Sequence, residues 1–182
     1  MWLPPIRCII QYINGAGIYL SGIEPFAYDT GEIQRLRIEV VISLLEEIET
    51  PQFVRDAIPG IKHSYYRVKN NSDQPLYRFF DPIFNRIFRS LEEGKNVLLH
   101  CRTGDSVCVA ILIGFFILCI RWGEKYLIFD YENYLPKCCY NWTDSFLYFI
   151  QLMYPPTNLR VEFIRELYTF EEEVLKPLRE NN

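Results

Sequence analysis

Six cysteines occupy positions 8, 101, 108, 119, 138 and 139, yet no CxxC pair occurs among them, which argues against a zinc site. No basic block is present. Lysines and arginines are scattered and the net charge is −4, so the cationic stripe of a nucleic-acid binder is missing. The N-terminus has no charged stretch followed by a continuous apolar one, so it does not read as a signal peptide. The run Val107 to Ile120 is 14 apolar or small residues without a charge, too short to span a membrane and suited to a buried central helix. Without secretion, the sequon Asn141-Trp142-Thr143 carries little weight, and a reducing cytosol or nucleus fits the free thiols.

What is present is a globular composition. The 182 residues are 49% hydrophobic and 23% charged, enough for one domain with a sizeable core. Aromatics are heavy, with 13 Tyr, 13 Phe and 3 Trp. They suit an aromatic core first, and an apolar surface for binding or dimerisation second. Cys8, Cys108 and Cys119 lie in apolar stretches, where a thiol acts as a small hydrophobe.

Arg7 to Ile13 and Gly17 to Leu20 read as two strands around an Asn14-Gly15 turn. Asp29 or Thr30 can cap a short helix to about Arg37, and the β-branched run Ile38 to Leu44 reads as a buried strand. After a connection at 50–60, Ser64 to Val68 is another strand, with a polar turn NNSDQP following. Pro75 suits the first turn of a helix, which Asp81-Pro82 restarts or kinks and Gly94 stops. Asn96 to His100 is a strand, Val107 to Arg121 an apolar helix, and Glu124 to Tyr134 a further helix. Thr143 is expected to cap a helix to Met153, ended by Pro155-Pro156. From Asn158 to Leu178, Phe163, Leu167, Phe170, Val174 and Leu178 share one face of an amphipathic helix. Strands and helices alternate, an α/β layout with helices covering a sheet.

Five ordered segments carry a resemblance: GIYLSG at 17–22, IEVVISL at 38–44, YYRVKNNSDQPLYRFF at 65–80, VLLHC with Gly104, and SFLYFIQL at 145–152. In order and interval they resemble the dual-specificity phosphatases of the cysteine-based protein tyrosine phosphatase superfamily. That resemblance implies a central mixed sheet of about five strands flanked by helices, here with an extra C-terminal helix. It implies a domain over residues 1–156, with the amphipathic helix of 157–182 packed on it or used for dimerisation, and no cofactor.

The resemblance assigns roles by position. Cys101 is the nucleophile position, His100 precedes it, and Gly104 permits a tight curl. Arg102, Thr103, Gly104, Asp105 and Ser106 form the phosphate loop, whose N–H groups would gather a phosphate and hold the thiolate. Three positions depart from the family. The arginine that forks onto phosphate is Val107, a loss of two charge-assisted hydrogen bonds of about 1.5–3 kcal/mol each. The hydroxyl that assists the thiolate is Cys108, a weak donor. The aspartate general acid aligns with Asn70, whose amide supplies no proton, at a cost of about 10²–10⁴-fold. Asp105 adds negative charge within the loop. Arg102 should radiate outward rather than replace the missing guanidinium, and Asp73 is better suited to capping before Pro75 than to acid catalysis. Together the losses are on the order of 10⁴-fold or worse.

The resemblance also brings the sulfurs of Cys101 and Cys108 together, as two reduced thiols in contact or as a disulfide under oxidation. Cys138-Cys139 and His63 receive no role beyond structure. The expected function is a catalytically inactive phosphatase-like protein that binds another protein, as scaffold, competitor or regulator, a second copy included. The alternative is an atypical cysteine-dependent protein or RNA 5′-phosphatase, against which Val107 and the acidic charge both stand. A structural protein using its aromatic surface and C-terminal helix is a third expectation.

Overall fold

The computed structural model describes residues 6–12, 14–28, 30–46, 56, 58–69, 74–122 and 141–179, the side chains of 177–179 excepted. The expected helix over Glu124 to Tyr134 lies outside these residues, as do Asn70, Asp73, Cys138 and Cys139.

The chain opens with β1 (Arg7–Gln11) and β2 (Gly17–Ser21), paired antiparallel. Their connection closes on itself: the Tyr12 N–H donates to the Ala16 carbonyl at 2.6 Å, and Gly15 takes a left-handed φ of 86°. Two short helices follow, α1 (Glu24–Tyr28) and α2 (Thr30–Arg35). The second is the helix expected to reach Arg37. It stops earlier because Arg37 adopts φ 51°, a left-handed exit.

Next come β3 (Ile38–Leu45), β4 (Lys62–Arg67) and β5 (Asn96–Cys101). Among the described residues the five strands make one mixed sheet of order β1-β2-β5-β3-β4, with every pair after the first parallel. β5 is central, buried on both faces as its continuous apolar run requires. Side chains alternate along it, so Val97, Leu99 and Cys101 join one core while Leu98 joins the other.

Among the described residues the larger core lies under a 3-10 turn and four helices. A 3-10 turn at Leu76–Phe79 leads into α3 (Phe80–Glu92), with Pro75 immediately before the turn. Pro82 sits in the first turn of α3, where its missing N–H would have had no intrahelical partner. α4 (Val107–Trp122) is buried almost all round, as its uncharged run predicts. Gly114 lets α3 approach closely, since a Cβ there would meet the rings of Phe84 and Phe80 at 3.0 and 3.1 Å. Phe84 also meets Phe115 edge-on at 5.8 Å, so the aromatics fill the core here.

α5 (Trp142–Met153) and α6 (Val161–Arg179) complete this layer. The cap of α5 corrects the expectation at Thr143. Asn141 is the N-cap and accepts from the Asp144 N–H at 2.7 Å. Thr143 is fully buried inside the first turn, where Glu171 of α6 accepts from its N–H and its hydroxyl. A glycan on Asn141 would have to displace this cap. On α6, Phe163 and Leu167 are fully buried and Phe170 stacks edge-on against Phe80 at 4.7 Å. The Leu178 side chain lies outside the description.

The smaller core occupies the opposite face of the sheet, where Phe26 of α1 and Ile33 of α2 cover Tyr19, Val41 and Leu98.

Candidate functional site

β5 ends at Cys101, the chain curls through residues 102–106, and α4 begins at Val107. The curl depends on Gly104, which has φ 78°. A Cβ there would stand 2.5 Å from the Gly22 nitrogen and 2.8 Å from the Tyr154 hydroxyl, so the loop is pressed against the end of β2. The Ile23 N–H donates to the Arg102 carbonyl at 3.2 Å, and the Asn158 N–H to the Asp105 carbonyl at 2.9 Å. Two segments far apart in sequence thereby fix the loop's two shoulders.

Cys101 lies at the floor of the curl, 3% exposed. The Gly104 N–H donates to its sulfur at 3.2 Å, and the Cys108 sulfur stands 3.4 Å away. The Cys108 thiol also has the Gly104 carbonyl in reach at 3.3 Å. The Cys108 thiol, foremost, and the N–H groups of Cys108, Gly104 and Ser106 hold the Cys101 thiol down at about 7, against the opposing effect of burial. Burial, and then the neighbouring Cys101, push Cys108 well up, so the pair contains one ready thiolate and one thiol.

His100 points to the other face of the sheet, beneath the ring of Phe26 at 4.5 Å. The Ser43 hydroxyl bridges its Nε2 and that of His63, the latter at 2.6 Å. Burial, and then His63, press His100 down to about 3, so it is neutral at pH 7. His63 is therefore tied to the residue beside Cys101, although nothing in the sequence pairs them.

Val107 is 2% exposed and packs in the larger core. Its isopropyl group offers no hydrogen bond to an anion. Arg102 is exposed, on the outer side of the curl. The Asp105 carboxylate accepts from the Thr103 hydroxyl along the rim. Ser106 is buried, with its hydroxyl unpartnered among the described residues. Asn70 and Asp73 lie outside the described residues, while Leu76 and Phe80, further along the same resembling segment, are both buried.

Two residues at the loop were not foreseen. Glu24 of α1 places Oε2 against Gly22, buried and without a hydrogen-bond partner among the described residues. Tyr154 is fully buried behind Gly104, and its hydroxyl is likewise unpartnered. Burial first, then Cys108, Cys101, Asp105 and Glu24, push the Tyr154 hydroxyl far up, so it stays neutral. Glu24 and Asp105 thus bring two carboxyl groups to the surroundings of the loop. The geometry can hold one thiolate in a nest of N–H groups, and Val107 supplies no cation to it.

No protein-family model matches the chain. Protein phosphatase Slingshot of Drosophila melanogaster is 27% identical over 107 residues, 58% of this chain, which spans only about 10% of that protein's length. The fold matches solved structures of dual-specificity phosphatases and their relatives. A leucine-rich-repeat and phosphatase-domain protein of Entamoeba histolytica superposes with a TM-score of 0.65 at 19% identity, over 95% of this chain and 94% of that one. Human DUSP28 gives 0.67 at 13%, over 94% and 95%. The human tyrosine phosphatase-like serine/threonine/tyrosine-interacting protein gives 0.69 at 19%, over 93% and 97%.

Proposed function

We propose that the protein is a catalytically inactive phosphatase-like protein that acts by binding another protein, as a scaffold, competitor or regulator of phospho-signalling. The observation that carries this reading is the position of Val107. At the head of α4, where the resembling enzymes place a guanidinium, stands a buried aliphatic group that cannot stabilise charge on a transferring phosphoryl group. The Cys101 nest is kept in outline, so a nucleophile remains without a guanidinium at position 107 to grip its substrate. Glu24 and Asp105 beside the loop add repulsion rather than attraction.

A binding role also suits the surface of α5, which exposes Tyr148 and Leu152 four residues apart, at 45% and 58%, with Met153 beside them. The partner is a protein, a second copy of this chain included, in the cytoplasm or nucleus. One of the structural relatives is itself described as a phosphatase-like interacting protein, a precedent for this pairing of fold and role.

The test is turnover of a generic aryl phosphate by the purified chain beside Cys101→Ser. The reading expects no Cys101-dependent turnover, and Cys101-dependent release of phosphate overturns it. The converse is the triple change Val107→Arg, Cys108→Ser and Asn70→Asp. Activity gained there shows that the scaffold still supports the chemistry and that these positions alone silence it.

A further inference from the structure

We propose that Cys101 and Cys108 form a reversible intramolecular disulfide when the protein meets a peroxide, making the loop a two-sulfur redox site. The proposal rests on placement. The two sulfurs face each other at 3.4 Å across a single turn of chain, closed by Gly104, with Cys101 at the loop floor and Cys108 in the first turn of α4. Among the described residues the free cysteines are Cys8, Cys101, Cys108 and Cys119, and only this pair stands in sulfur-sulfur contact. The separation must contract to about 2.05 Å for a bond. The 102–106 segment, exposed at Arg102 and Thr103, is the part of the chain that can give, because β5 and α4 are packed on all sides.

The chemistry balances with hydrogen peroxide as the oxidant. The Cys101 thiolate attacks one peroxide oxygen, the O–O bond breaks, and the departing hydroxide takes a proton to become water. Cys101 is then a neutral sulfenic acid. Cys108 gives up its proton and its sulfur attacks the Cys101 sulfur. The S–S bond forms, the S–O bond breaks, and a second water leaves. Two thiols have lost two electrons to one peroxide. Two features of the site favour this order. N–H groups converge on Cys101, so it is the sulfur that attacks the oxidant first. Cys108 is held protonated by burial and by the adjacent Cys101, and conversion of Cys101 to a neutral acid removes the second restraint.

Closing the bond also takes the anion away from the N–H groups that face it. These donors then lack their acceptor, and the loop must rearrange to satisfy them. Because the Ile23 N–H is bonded to the Arg102 carbonyl, the change passes to the start of α1. Oxidation would therefore reshape the face formed by the loop and α1.

The experiment treats the full chain with hydrogen peroxide at low excess, blocks remaining thiols with iodoacetamide, and maps non-reduced tryptic peptides by mass spectrometry. Trypsin cuts after Arg102 and next after Arg121, so Cys101 lies on residues 96–102 and Cys108 on residues 103–121 together with Cys119. A bond appears as a joined pair, lighter by two hydrogens and split by dithiothreitol, and fragment ions that place the iodoacetamide label, added after denaturation, on Cys119 assign the bond to Cys108. That product, from Cys101 and Cys108 together, is the expected result. In Cys108→Ser, Cys101 should instead proceed to sulfinic acid at least ten times faster than in the wild type. The proposal is overturned if Cys101 in the wild type stays a thiol, goes to sulfinic acid as fast as in the variant, or pairs with Cys8 or Cys119. Peptide mapping of the wild type decides the matter even where the variant does not fold. The outcome is independent of phosphatase turnover.

Discussion

Glu171 accepts two hydrogen bonds from Thr143, one from its N–H and one from its hydroxyl, both 2.8 Å long. Its other oxygen takes the Trp142 N–H at 2.9 Å. A carboxylate of α6 thus satisfies the opening N–H groups of α5, where the helix dipole also favours negative charge. One turn earlier in α6, Glu166 accepts from the Leu76 N–H at 2.6 Å and anchors the 3-10 turn.

Glu171→Ala should therefore destabilise the fold strongly for a polar change. Buried donors lose a charged acceptor at a cost of about 3 kcal/mol, which for a chain of this size lowers Tm by about 10 °C. Glu166→Ala, with one donor released, should cost less. Deleting residues 157–182 removes both carboxylates together with Phe163 and Leu167, and should abolish cooperative unfolding as seen by circular dichroism. A truncated chain that melts as sharply as the full one would contradict this account of α6.

The aliphatic side chain at Val107 makes a prediction about anions. The wild type should show no rise in Tm with millimolar orthovanadate, a phosphate-like oxyanion. Val107→Arg places a cation where Val107 is buried, and by itself should lower stability by several kcal/mol, on the order of the cost of a buried charge lacking its partner. Vanadate should then restore stability selectively in the variant, by about 2.7 kcal/mol when present at 100 times its dissociation constant. Thermal melts of the two proteins with and without the anion check both halves. A wild-type rise equal to the variant's would mean that the N–H nest suffices to hold a dianion.

Much of the geometry of this loop is legible in the sequence. An apolar strand ending in His100-Cys101, with a glycine three residues on and an uncharged helix after it, has local consequences that the sequence carries by itself. Glu24, Tyr154 and Ser43 were not legible because each reaches the loop or His100 from a different element. α1 was missed because Pro25 and Gly22 obscure so short a helix. At the start of α5, Asn141 and Thr143 are both good capping residues. Which one caps is decided by Glu171, 28 positions further along the chain than Thr143, and no local rule contains that partner.

His100 predicts acid sensitivity. It is pressed to about 3 in the fold, while an unfolded histidine titrates near 6.5. Below pH ~6.5 the unfolded chain binds a proton that the native chain refuses, so stability falls as pH falls, by about 1.4 kcal/mol per pH unit until the folded value is reached. Urea denaturation between pH 7 and 4.5 should show this slope, and His100→Gln should flatten it even though the variant is less stable at pH 7. Ser43→Ala should lower stability at neutral pH by removing the hydroxyl that bridges His100 and His63. An unchanged slope in His100→Gln would assign the acid sensitivity to other groups.

Cys101 predicts a titration of its own. Hydrogen bonding from Cys108 is the largest influence holding its thiol at about 7. Alkylation by iodoacetamide, followed by peptide mapping across pH 5.5 to 9, should give a rate at Cys101 that rises through an inflection near 7. Cys119, pushed to about 12 by burial, should stay unmodified over that range. Cys108→Ala removes the largest of these influences, and the inflection should move up toward the free-thiol value of about 8.5. Cys108→Ser, which returns a hydroxyl to the same place, should keep it low. The same shift bears on stability in the same sense as that of His100, in a higher pH window. Between pH 7 and ~8.5 the native chain has released a proton that the unfolded chain retains, so stability should rise with pH there, and Cys101→Ser should remove the rise. An inflection that stays near 7 in Cys108→Ala would mean that the N–H groups alone hold the thiolate, and that Cys108 is a neighbour of Cys101 without electrostatic effect on it.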